Sequence, residues 1–250
     1  MSSRDTQPPF WRPRLQQTVV RRLIHQGVDL ILPHHCVLCR AHTTATGLCA
    51  DCWTGLAPIT NPLCQRCGRP LPHATPQMIC GACILAPPPL NQLRSLVHYN
   101  ETSRALILKL KHGDGLFLAP FLARLMIPLK HATAAREQVV IPVPLHRHRY
   151  FRRRFNQSAE IARALVKTSG HGLFFPNGLV RTKPTVSQGR LNRADRKRNV
   201  RGAFAVPSAA LPIIRNQSIC WSMMCSPLAL LYLRRRAPSP PMVVAQYQPL

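Results

Sequence analysis

The sequence CVLCRAHTTATGLCADC at residues 36–52, continued by CQRCGRPLPHATPQMICGAC at residues 64–83, decides the fold. It holds eight cysteines as four Cys-x-x-Cys pairs. Two thiolates on one tight turn can both reach a Zn²⁺ at about 2.3 Å, and a second pair completes a tetrahedral shell. Four pairs therefore predict two structural zinc ions. In chain order the ligands are Cys36, Cys39, Cys49 and Cys52 for one ion and Cys64, Cys67, Cys80 and Cys83 for the other, with an interleaved pairing as the alternative.

The residues between the cysteines favour closed zinc sites. Gly47, Gly68 and Gly81 can adopt the positive φ of turns that direct backbone N–H groups toward thiolates. A disulfide framework and a thioredoxin-like redox pair are the competing interpretations. Both are disfavoured, because no secretory signal is visible and no single pair sits between a strand and a helix. A zinc ribbon usually stabilises the fold or provides a docking surface, so it predicts little about reaction chemistry.

The chain is strongly basic. Lys and Arg number 34 against 8 Asp and Glu, which gives a formal net charge of +26. Eight bound thiolates contribute −8 and two Zn²⁺ contribute +4, which leaves about +22. A field of this sign favours phosphate groups, whether on nucleic acid or on a small phosphorylated ligand, and does not distinguish between them.

Hydropathy predicts no membrane span. No apolar run reaches the roughly 20 residues that a transmembrane helix needs, and residues 219–233 are interrupted by Pro227. Arg21 and Arg22 break the N-terminal apolar stretch, which argues against a secretory signal. Together with reduced, metal-bound cysteines, these features predict a cytoplasmic protein.

Composition divides the chain into four parts. The double zinc ribbon ends in three consecutive prolines, which mark a rigid boundary. Before the ribbon, apolar spacing over residues 15–32 predicts a packing helix. The four parts are an N-terminal arm and helix at 1–27, the double zinc ribbon at 28–88, an incomplete α/β domain at 92–206 and an aberrant tail at 207–250.

The third part has the pattern of an α/β domain with a parallel sheet. Residues 139–144 read as a buried strand, and Asn156 or Ser158 can cap a helix that runs to Lys167. The basic segment 146–155 lies between them. Strand, basic loop and helix is the order in which α/β folds bind anions beyond a strand's carboxyl end. Other predicted elements are a strand at 96–99 and helices at 103–111 and 116–129.

Two basic stretches allow several interpretations. Residues 146–155 form either a solvated charged face or an anion site, and the aromatic residues between the cations favour the latter. Residues 179–204 have little apolar periodicity and many hydrogen-bond donors. They suit a mobile basic loop, an arm that contacts nucleic acid, or a lid over a phosphorylated substrate.

Taken together, these motifs resemble the ComF/GntX family, in which a double zinc ribbon precedes a type I phosphoribosyltransferase-like domain. The resemblance covers about residues 28–206. Besides the cysteine pairs, it rests on KLKHGD at 109–114, on PVPL at 142–145 with FNQS at 155–158, and on RTKPT at 181–185 continuing through Gln188, Arg196, Asn199 and Phe204.

The resemblance implies a function as well as a fold. It implies a role in handling imported DNA in competent bacteria, or in using DNA as a nutrient. It also implies phosphoribosyl pyrophosphate with Mg²⁺ as the ligand. By position, Lys109 and Lys111 are candidates for pyrophosphate contacts, and Arg196 and Arg198 lie on a covering loop. No catalytic base and no acceptor substrate can be assigned.

The decisive motif of phosphoribosyltransferases is missing. In that fold two adjacent acids at a strand end hold the ribose hydroxyls, and a following Thr-Thr-Gly loop grips the 5′-phosphate at a helix N-terminus. This sequence has no Asp or Glu after Asp195, and residues 219–228 stand where the motif is expected. The chain as it stands is therefore expected to be inactive as a phosphoribosyltransferase.

The genetic code suggests how the motif was lost. Read from the third base of the Trp221 codon, residues 221–225 become Val-Asp-Asp-Val if Ser222 is TCG. The single Met codon fixes the second Asp and the second Val, and residues 226–228 can continue as Thr-Thr-Gly. We therefore expect a frameshift between Val206 and Ile219, in the gene or in its determined sequence. A diverged, non-catalytic C-terminus is the alternative, and Cys220 and Cys225 are then incidental.

Two functions follow. The first is a competence or DNA-utilisation protein whose intact parent binds a phosphoribosyl ligand. The second is a non-catalytic zinc-ribbon protein whose ribbons and basic loops bind single-stranded DNA or a protein of the uptake machinery. A steep dependence of DNA binding on salt favours the second, and stabilisation by phosphoribosyl pyrophosphate favours the first.

Overall fold

A computed structural model describes residues 34–45, 47–88, 91–111, 115–131, 138–186, 191–215, 217–223 and 229–233. The chain divides into two compact units, Met1–Ala50 and Asp51–Leu250, and each is described by itself. The predicted arm at 1–27 and the helix at 15–32 lie outside the described residues.

The cysteine-rich part consists of tight turns and two short helices, α1 (Ala50–Gly55) and α2 (Gly81–Leu85). The turns that begin at Cys36 and at Cys64 each end in a residue with a left-handed backbone conformation. Arg40 has φ 66° and donates its N–H to the Cys36 carbonyl at 3.0 Å, while Gly68 has φ 69° and donates to the Cys64 carbonyl at 2.9 Å. Gly81 does not have the expected positive φ, because it is the first residue of a right-handed helix, α2.

The second unit also contains a five-stranded mixed sheet and a two-stranded ribbon. The strands are β1 (Gln92–Ser95), β2 (Gln138–Pro142), β3 (Leu173–Phe174), β4 (Val180–Arg181), β5 (Phe204–Ala205), β6 (Ser218–Met223) and β7 (Ala229–Leu233). The sheet order is β1-β7-β6-β2-β3. Strand β2 pairs in parallel with β3 and β6, whereas β7 is antiparallel to both β6 and β1. Strands β4 and β5 form the separate antiparallel ribbon.

Helices accompany this sheet. They are α3 (Glu101–Lys111), α4 (Leu118–His131), α5 (Arg147–Arg153), α6 (Gln157–Ser169), α7 (Arg193–Val200) and α8 (Leu211–Ile214). Within the described ranges the longest is α4, with 14 residues, and none has both the length and the apolar character of a transmembrane helix.

The core forms around β2, every residue of which is buried. Because strand side chains alternate, Val139 and Ile141 share one face of β2, and both belong to a cluster with Leu93, Leu179, Ala210, Ile214 and Ile219. Another set of buried side chains comes from α3, α4 and α6, whose apolar stripes supply Leu106, Leu110, Leu122, Met126, Ile161 and Leu165. These helices fix the α/β domain around one buried parallel strand.

Several predicted elements are confirmed. The helices predicted at 103–111 and 116–129 are α3 and α4, and the strand predicted at 139–144 is β2. The Asn156 side chain accepts a hydrogen bond from the Ser158 N–H at 3.1 Å and caps α6, which continues to Ser169. A parallel sheet within an α/β domain is therefore observed as predicted.

Two elements differ from the prediction. The strand expected at 96–99 lies four residues earlier, at β1, and Val97 instead forms an isolated bridge with Pro58. The basic segment 146–155 is not a continuous loop, because α5 occupies most of it. Arginine is a good helix former, and Arg154 ends the helix in a left-handed conformation with its N–H on the Tyr150 carbonyl at 2.7 Å.

The described part of the tail joins the sheet. Strand β6 pairs with β2 from Gln138 opposite Ser218 to Pro142 opposite Ser222. Strand β7 then pairs back along β6. The domain boundaries at 28–88, 92–206 and 207–250 remain predictions.

Candidate metal centres and the sheet edge

The structure brings the eight cysteines together in two groups of four. In each group the four Sγ atoms lie within 4.8 Å of one another. The grouping follows chain order, with Cys36, Cys39, Cys49 and Cys52 in one centre and Cys64, Cys67, Cys80 and Cys83 in the other. Four thiolates in a compact group are the donor set of a tetrahedral zinc or iron–sulfur site, and closed Cys₄ sites of this spacing are typical of structural zinc. The two groups therefore fit two structural zinc ions.

The first centre is organised by backbone N–H groups that face sulfur. The Leu38 N–H reaches the Cys36 Sγ at 3.5 Å, and the Ala41 N–H reaches the Cys39 Sγ at 3.5 Å. The Cys39 and Cys49 sulfurs are 3.5 Å apart, close to the roughly 3.8 Å edge of a tetrahedron with Zn–S bonds of about 2.3 Å. The chain is thus folded around a volume of the right size for one ion.

Backbone donors also favour the Cys36 thiolate. Burial raises its pKa, but hydrogen bonds from the backbone around Cys49, Cys39 and Leu38 outweigh burial and lower the pKa of Cys36 to about 6. The thiolate is the form that binds metal. This ligand therefore ionises more readily than an ordinary cysteine.

The second centre repeats this arrangement with deeper burial. The Cys80 N–H reaches the Cys64 Sγ at 3.4 Å, and the sulfurs of Cys67 and Cys80 are 3.6 Å apart. Burial raises the pKa of Cys64, but backbone N–H groups from Cys67, Cys80 and Arg66 outweigh it and lower that pKa to about 6. Burial raises the pKa of Cys67 and of Cys83. These two thiols need the charge of a metal ion to ionise.

The second centre is attached to the edge of the sheet through Arg94 of β1. This side chain is only 9% exposed, and its Nη1 donates to the carbonyls of Cys64 at 3.3 Å and Gln65 at 3.1 Å. The Leu93 N–H adds a bond to the Arg66 carbonyl at 2.7 Å. The turn that carries the zinc ligands is therefore hydrogen-bonded directly to a strand of the α/β domain.

Gly68 allows this attachment, which leads to a test of the second centre. A Cβ at Gly68 would lie 2.5 Å from the Leu93 carbonyl oxygen, and the positive φ disfavours any other residue. We expect Gly68→Ala to lower the free energy of unfolding by about 2 kcal/mol or more. Differential scanning calorimetry of the zinc-loaded chain measures it.

Gly81 provides the matched control for this substitution. A Cβ there meets nothing within 4 Å, and the position is helical. Gly81→Ala should leave stability unchanged or raise it by up to about 1 kcal/mol. Equal melting temperatures for Gly68→Ala and Gly81→Ala would show that the approach of this turn to β1 is unimportant.

The predicted ligand residues of α3 lie near the carboxyl end of β2. The Asn156 amide donates to the Val143 carbonyl at 3.0 Å, and the Gln157 amide donates to the Lys111 carbonyl at 3.5 Å. The N-terminus of α6 therefore meets the end of α3, where Lys109 and Lys111 form the last turn. In open α/β sheets this edge is where ligands bind.

The other two predicted ligand residues lie on α7. Arg198 pairs with Asp195 of the same helix, while Arg196 is half-buried. The Asn199 side chain binds the Val186 backbone twice, donating to its carbonyl at 3.1 Å and accepting from its N–H at 3.2 Å. This helix is therefore joined to the end of the 182–186 segment. Ligand roles for Lys109, Lys111, Arg196 and Arg198 stay predictions.

Sequence reasoning missed the contacts of three arginines in this unit. Arg94 precedes the strand predicted at 96–99, and nothing local indicates its carbonyl partners some thirty positions earlier. Arg149 of α5 donates to the Thr185 carbonyl at 2.6 Å, and Arg181 donates to the Thr185 hydroxyl. For Arg149 and Arg181, the available signal was the density of Arg in the two basic stretches.

Comparison with known proteins gives concordant results. Residues 27–84 match the family model described as a double zinc ribbon domain. DNA utilization protein YhgH of Salmonella typhi is 32% identical over 184 residues, which cover 70% of this chain and 78% of that protein. Competence protein F of Haemophilus influenzae is 29% identical over 181 residues, covering 68% and 76% of the two chains.

A more distant relative is competence protein ComFC of Bacillus subtilis. It is 28% identical over 144 residues, which cover 54% of this chain and 58% of that protein. No solved structure matches the chain.

Proposed function

Because the chain belongs to the ComF family of DNA utilization and competence F proteins, we propose that it derives from a DNA-handling protein with a phosphoribosyltransferase-like domain. The double zinc ribbon holds the edge of that domain, and residues 28–88 and 92–206 are the two functional parts. We place the protein in the cytoplasm, where reduced cysteines bind zinc. Its ligand in the intact form is phosphoribosyl pyrophosphate.

The position of β6 carries this proposal. The strand lies parallel to β2, with Ser222 opposite Pro142. Its carboxyl end is therefore at the same sheet edge as the N-terminus of α6 and the last turn of α3. An acidic pair at the end of β6 would face the crevice that binds ligands in open α/β sheets.

The present residues do not fit that ligand. The end of β6 reads Trp221, Ser222 and Met223, and no Asp or Glu follows Asp195. Mg²⁺ and ribose hydroxyls need carboxylate oxygens, which this segment does not supply. We therefore propose that the chain is inactive as a phosphoribosyltransferase, and that a frameshift between Val206 and Ile219 replaced the acidic pair and the phosphate loop.

In the frame-restored protein, four cations complete the site. Lys109 and Lys111, at the end of α3, would contact the pyrophosphate. Arg196 and Arg198, on α7, would cover it. Each of these side chains supplies only charge and hydrogen bonds, so none replaces the missing carboxylates in the present chain.

A thermal-shift experiment tests the proposal. The present chain and a frame-restored chain that encodes Val-Asp-Asp-Val and Thr-Thr-Gly are melted with and without phosphoribosyl pyrophosphate and Mg²⁺. Ligand at about 100 times its Kd stabilises a protein by about 2.7 kcal/mol, and for this size each kcal/mol raises Tm by roughly 2–4 °C. We expect a rise of about 5–10 °C in the restored chain and none in the present one.

A control separates specific binding from general anion binding. Inorganic sulfate at the same ionic strength should shift both chains equally and by much less. If the restored chain shows no larger shift than the present one, the phosphoribosyl part of the proposal is wrong. If the present chain already responds fully, its tail is functional and the frameshift is wrong.

The second candidate function is non-catalytic binding of single-stranded DNA. One observation favours it. The basic segment contains an exposed helix with aromatic side chains, and this helix does not depend on the missing motif.

A further inference from the structure

Helix α5 presents two large aromatic side chains to solvent. None of its seven residues is buried. Tyr150 is 49% exposed and Phe151 is 77% exposed, and their ring centroids lie 6.5 Å apart in an edge-to-face arrangement. Adjacent exposed rings of this size are uncommon on a surface without a partner, because covering each ring yields roughly 1.5–3 kcal/mol.

A cation stands before the rings in the chain and another follows them. Arg147, Tyr150 and Phe151 follow the helical spacing i, i+3 and i+4, which places them on one face. Arg154 follows directly as the left-handed residue that ends the helix. We call these four residues the aromatic-arginine face. Arg147 and Arg154 are both exposed. The segment 146–159 contains no Asp or Glu, so neither cation is neutralised by a neighbour in sequence.

The field around this helix is positive. The rings of His146 and His148 stack at 5.1 Å. The pKa of His146 is lowered by partial burial and then by the charges of His148, Arg147, Arg181 and Arg149. Burial is the larger cause of this lowering, and the three arginines and His148 add to it in the same direction.

The helix is also fixed in place. Arg149 points away from the aromatic-arginine face and donates to the Thr185 carbonyl at 2.6 Å. The left-handed Arg154 ends the helix and donates its N–H to the Tyr150 carbonyl at 2.7 Å. The rings are thus presented on an anchored element, which reduces the entropy that binding has to offset.

We propose that the aromatic-arginine face binds single-stranded nucleic acid, with bases stacked on Tyr150 and Phe151 and phosphates on Arg147 and Arg154. Exposed rings among arginines are the features that single strands use, because unpaired bases offer free π-faces. In a duplex those faces are already stacked. An acidic protein would satisfy the arginines but leave the rings without a flat partner. That the strand is DNA rather than RNA rests on the proposed function.

Binding of a fluorescent oligothymidylate of about 20 nucleotides, followed by anisotropy with the zinc-loaded full chain, tests this proposal. Stacking of one base is worth enough that we expect Phe151→Ala and Tyr150→Ala each to weaken binding about tenfold. Phe151→Tyr keeps the ring and should keep the affinity. Phe117→Ala is the matched control, since Phe117 is 51% exposed on a different element and should bind as the parent does.

The charges give a second, independent readout. Arg147→Gln should reduce the slope of log K against log salt by about 0.7, as expected for one phosphate contact on a single strand. Arg104→Gln, at an exposed position of α3, is the control and should leave the slope unchanged. Phe151→Ala should lower the affinity without changing the slope, which separates stacking from charge.

Three results would overturn the proposal. The first is equal binding by Phe151→Ala and Phe117→Ala. The second is binding of a duplex of the same length as tightly as the single strand. The third is that Phe151→Ala and Tyr150→Ala lose binding to anionic vesicles but still bind the oligonucleotide as the parent does. Because the phosphoribosyl test is read from Tm with a small ligand, its failure leaves these affinities interpretable, and the reverse also holds.

Discussion

Replacing Cys64 by Ser is expected to remove one of two zinc ions and to destabilise the second unit. Structural zinc contributes about 10–16 kcal/mol of binding free energy in small domains, so losing one centre costs several kcal/mol. At roughly 2–4 °C per kcal/mol, Tm should fall by about 10 °C or more. Elemental analysis of the purified chain and calorimetry measure the two effects together.

The physical reason is that Cys64 both supplies a sulfur to the second centre and takes part in the hydrogen bonds that join this centre to β1. Its sulfur accepts the Cys80 N–H, while its carbonyl accepts from Gly68 and from Arg94. When the ion leaves, the thiols of Cys67 and Cys83 revert to the protonated form that burial favours. The turn then loses the interaction that holds it against β1.

Cys220→Ala is the matched control. Cys220 is buried in β6 and belongs to neither group of four. Its substitution should lower the free energy of unfolding by about 1 kcal/mol because it leaves a small cavity. The variant chain should still bind two zinc ions. A structural role for the second centre would be contradicted if the Cys64→Ser chain still bound two zinc ions. It would also be contradicted if this chain had the same Tm as the Cys220→Ala chain.

Replacing Arg94 by Met is expected to lower the free energy of unfolding by about 3 kcal/mol. Methionine keeps the apolar stem of the side chain but removes the donor to the Gln65 carbonyl and one donor to the Cys64 carbonyl. Each buried acceptor left without its donor costs roughly 1–3 kcal/mol. Chemical denaturation of the zinc-loaded chain gives the change.

Zinc release distinguishes this role from general packing. In Arg94→Met one of the two ions should be lost to a chelator at least tenfold faster than in the parent, while the other keeps its rate. Arg104→Met, at an exposed position of α3, should change neither stability nor release. Identical release from the Arg94→Met and parent chains would show that the contact between β1 and the second centre is without consequence for the metal.

The metal centres could be predicted from sequence because their information is local. Two ligands with two residues between them lie on one turn whatever the remaining chain does, and the structure groups the four pairs in chain order. Strand β2 and the Asn156 cap of α6 were predictable for the same reason, since a buried apolar run and a capping side chain act within a few residues.

Other features depend on contacts distant in sequence. The strand at 92–95 was predicted four residues too late, because residues 92–95 pair with β7 whereas Val97 forms only an isolated bridge with Pro58. The sequence predicted a loop where α5 lies, because the apolar residues of this segment do not form the pattern of a core-facing helix. Nothing in the segment itself reveals that Arg149 is anchored by Thr185.

The tail shows a different limit. Ile219 and Cys220 are buried in β6, which pairs with β2, although no carboxylate stands at the end of this strand. Fold and chemistry are separable here, because backbone pairing and burial specify a strand, whereas ligand binding needs particular side chains at its end.

The nucleotide sequence of the gene across codons 200 to 250, read from genomic DNA, tests the proposed origin of the chain most directly. We expect an inserted or missing base between the codons of Val206 and Ile219, and a restored frame that reads Val-Asp-Asp-Val followed by Thr-Thr-Gly. If the present frame is confirmed and neither other frame encodes this motif, the phosphoribosyltransferase origin of the site is contradicted, and a zinc-stabilised binding protein is the better description.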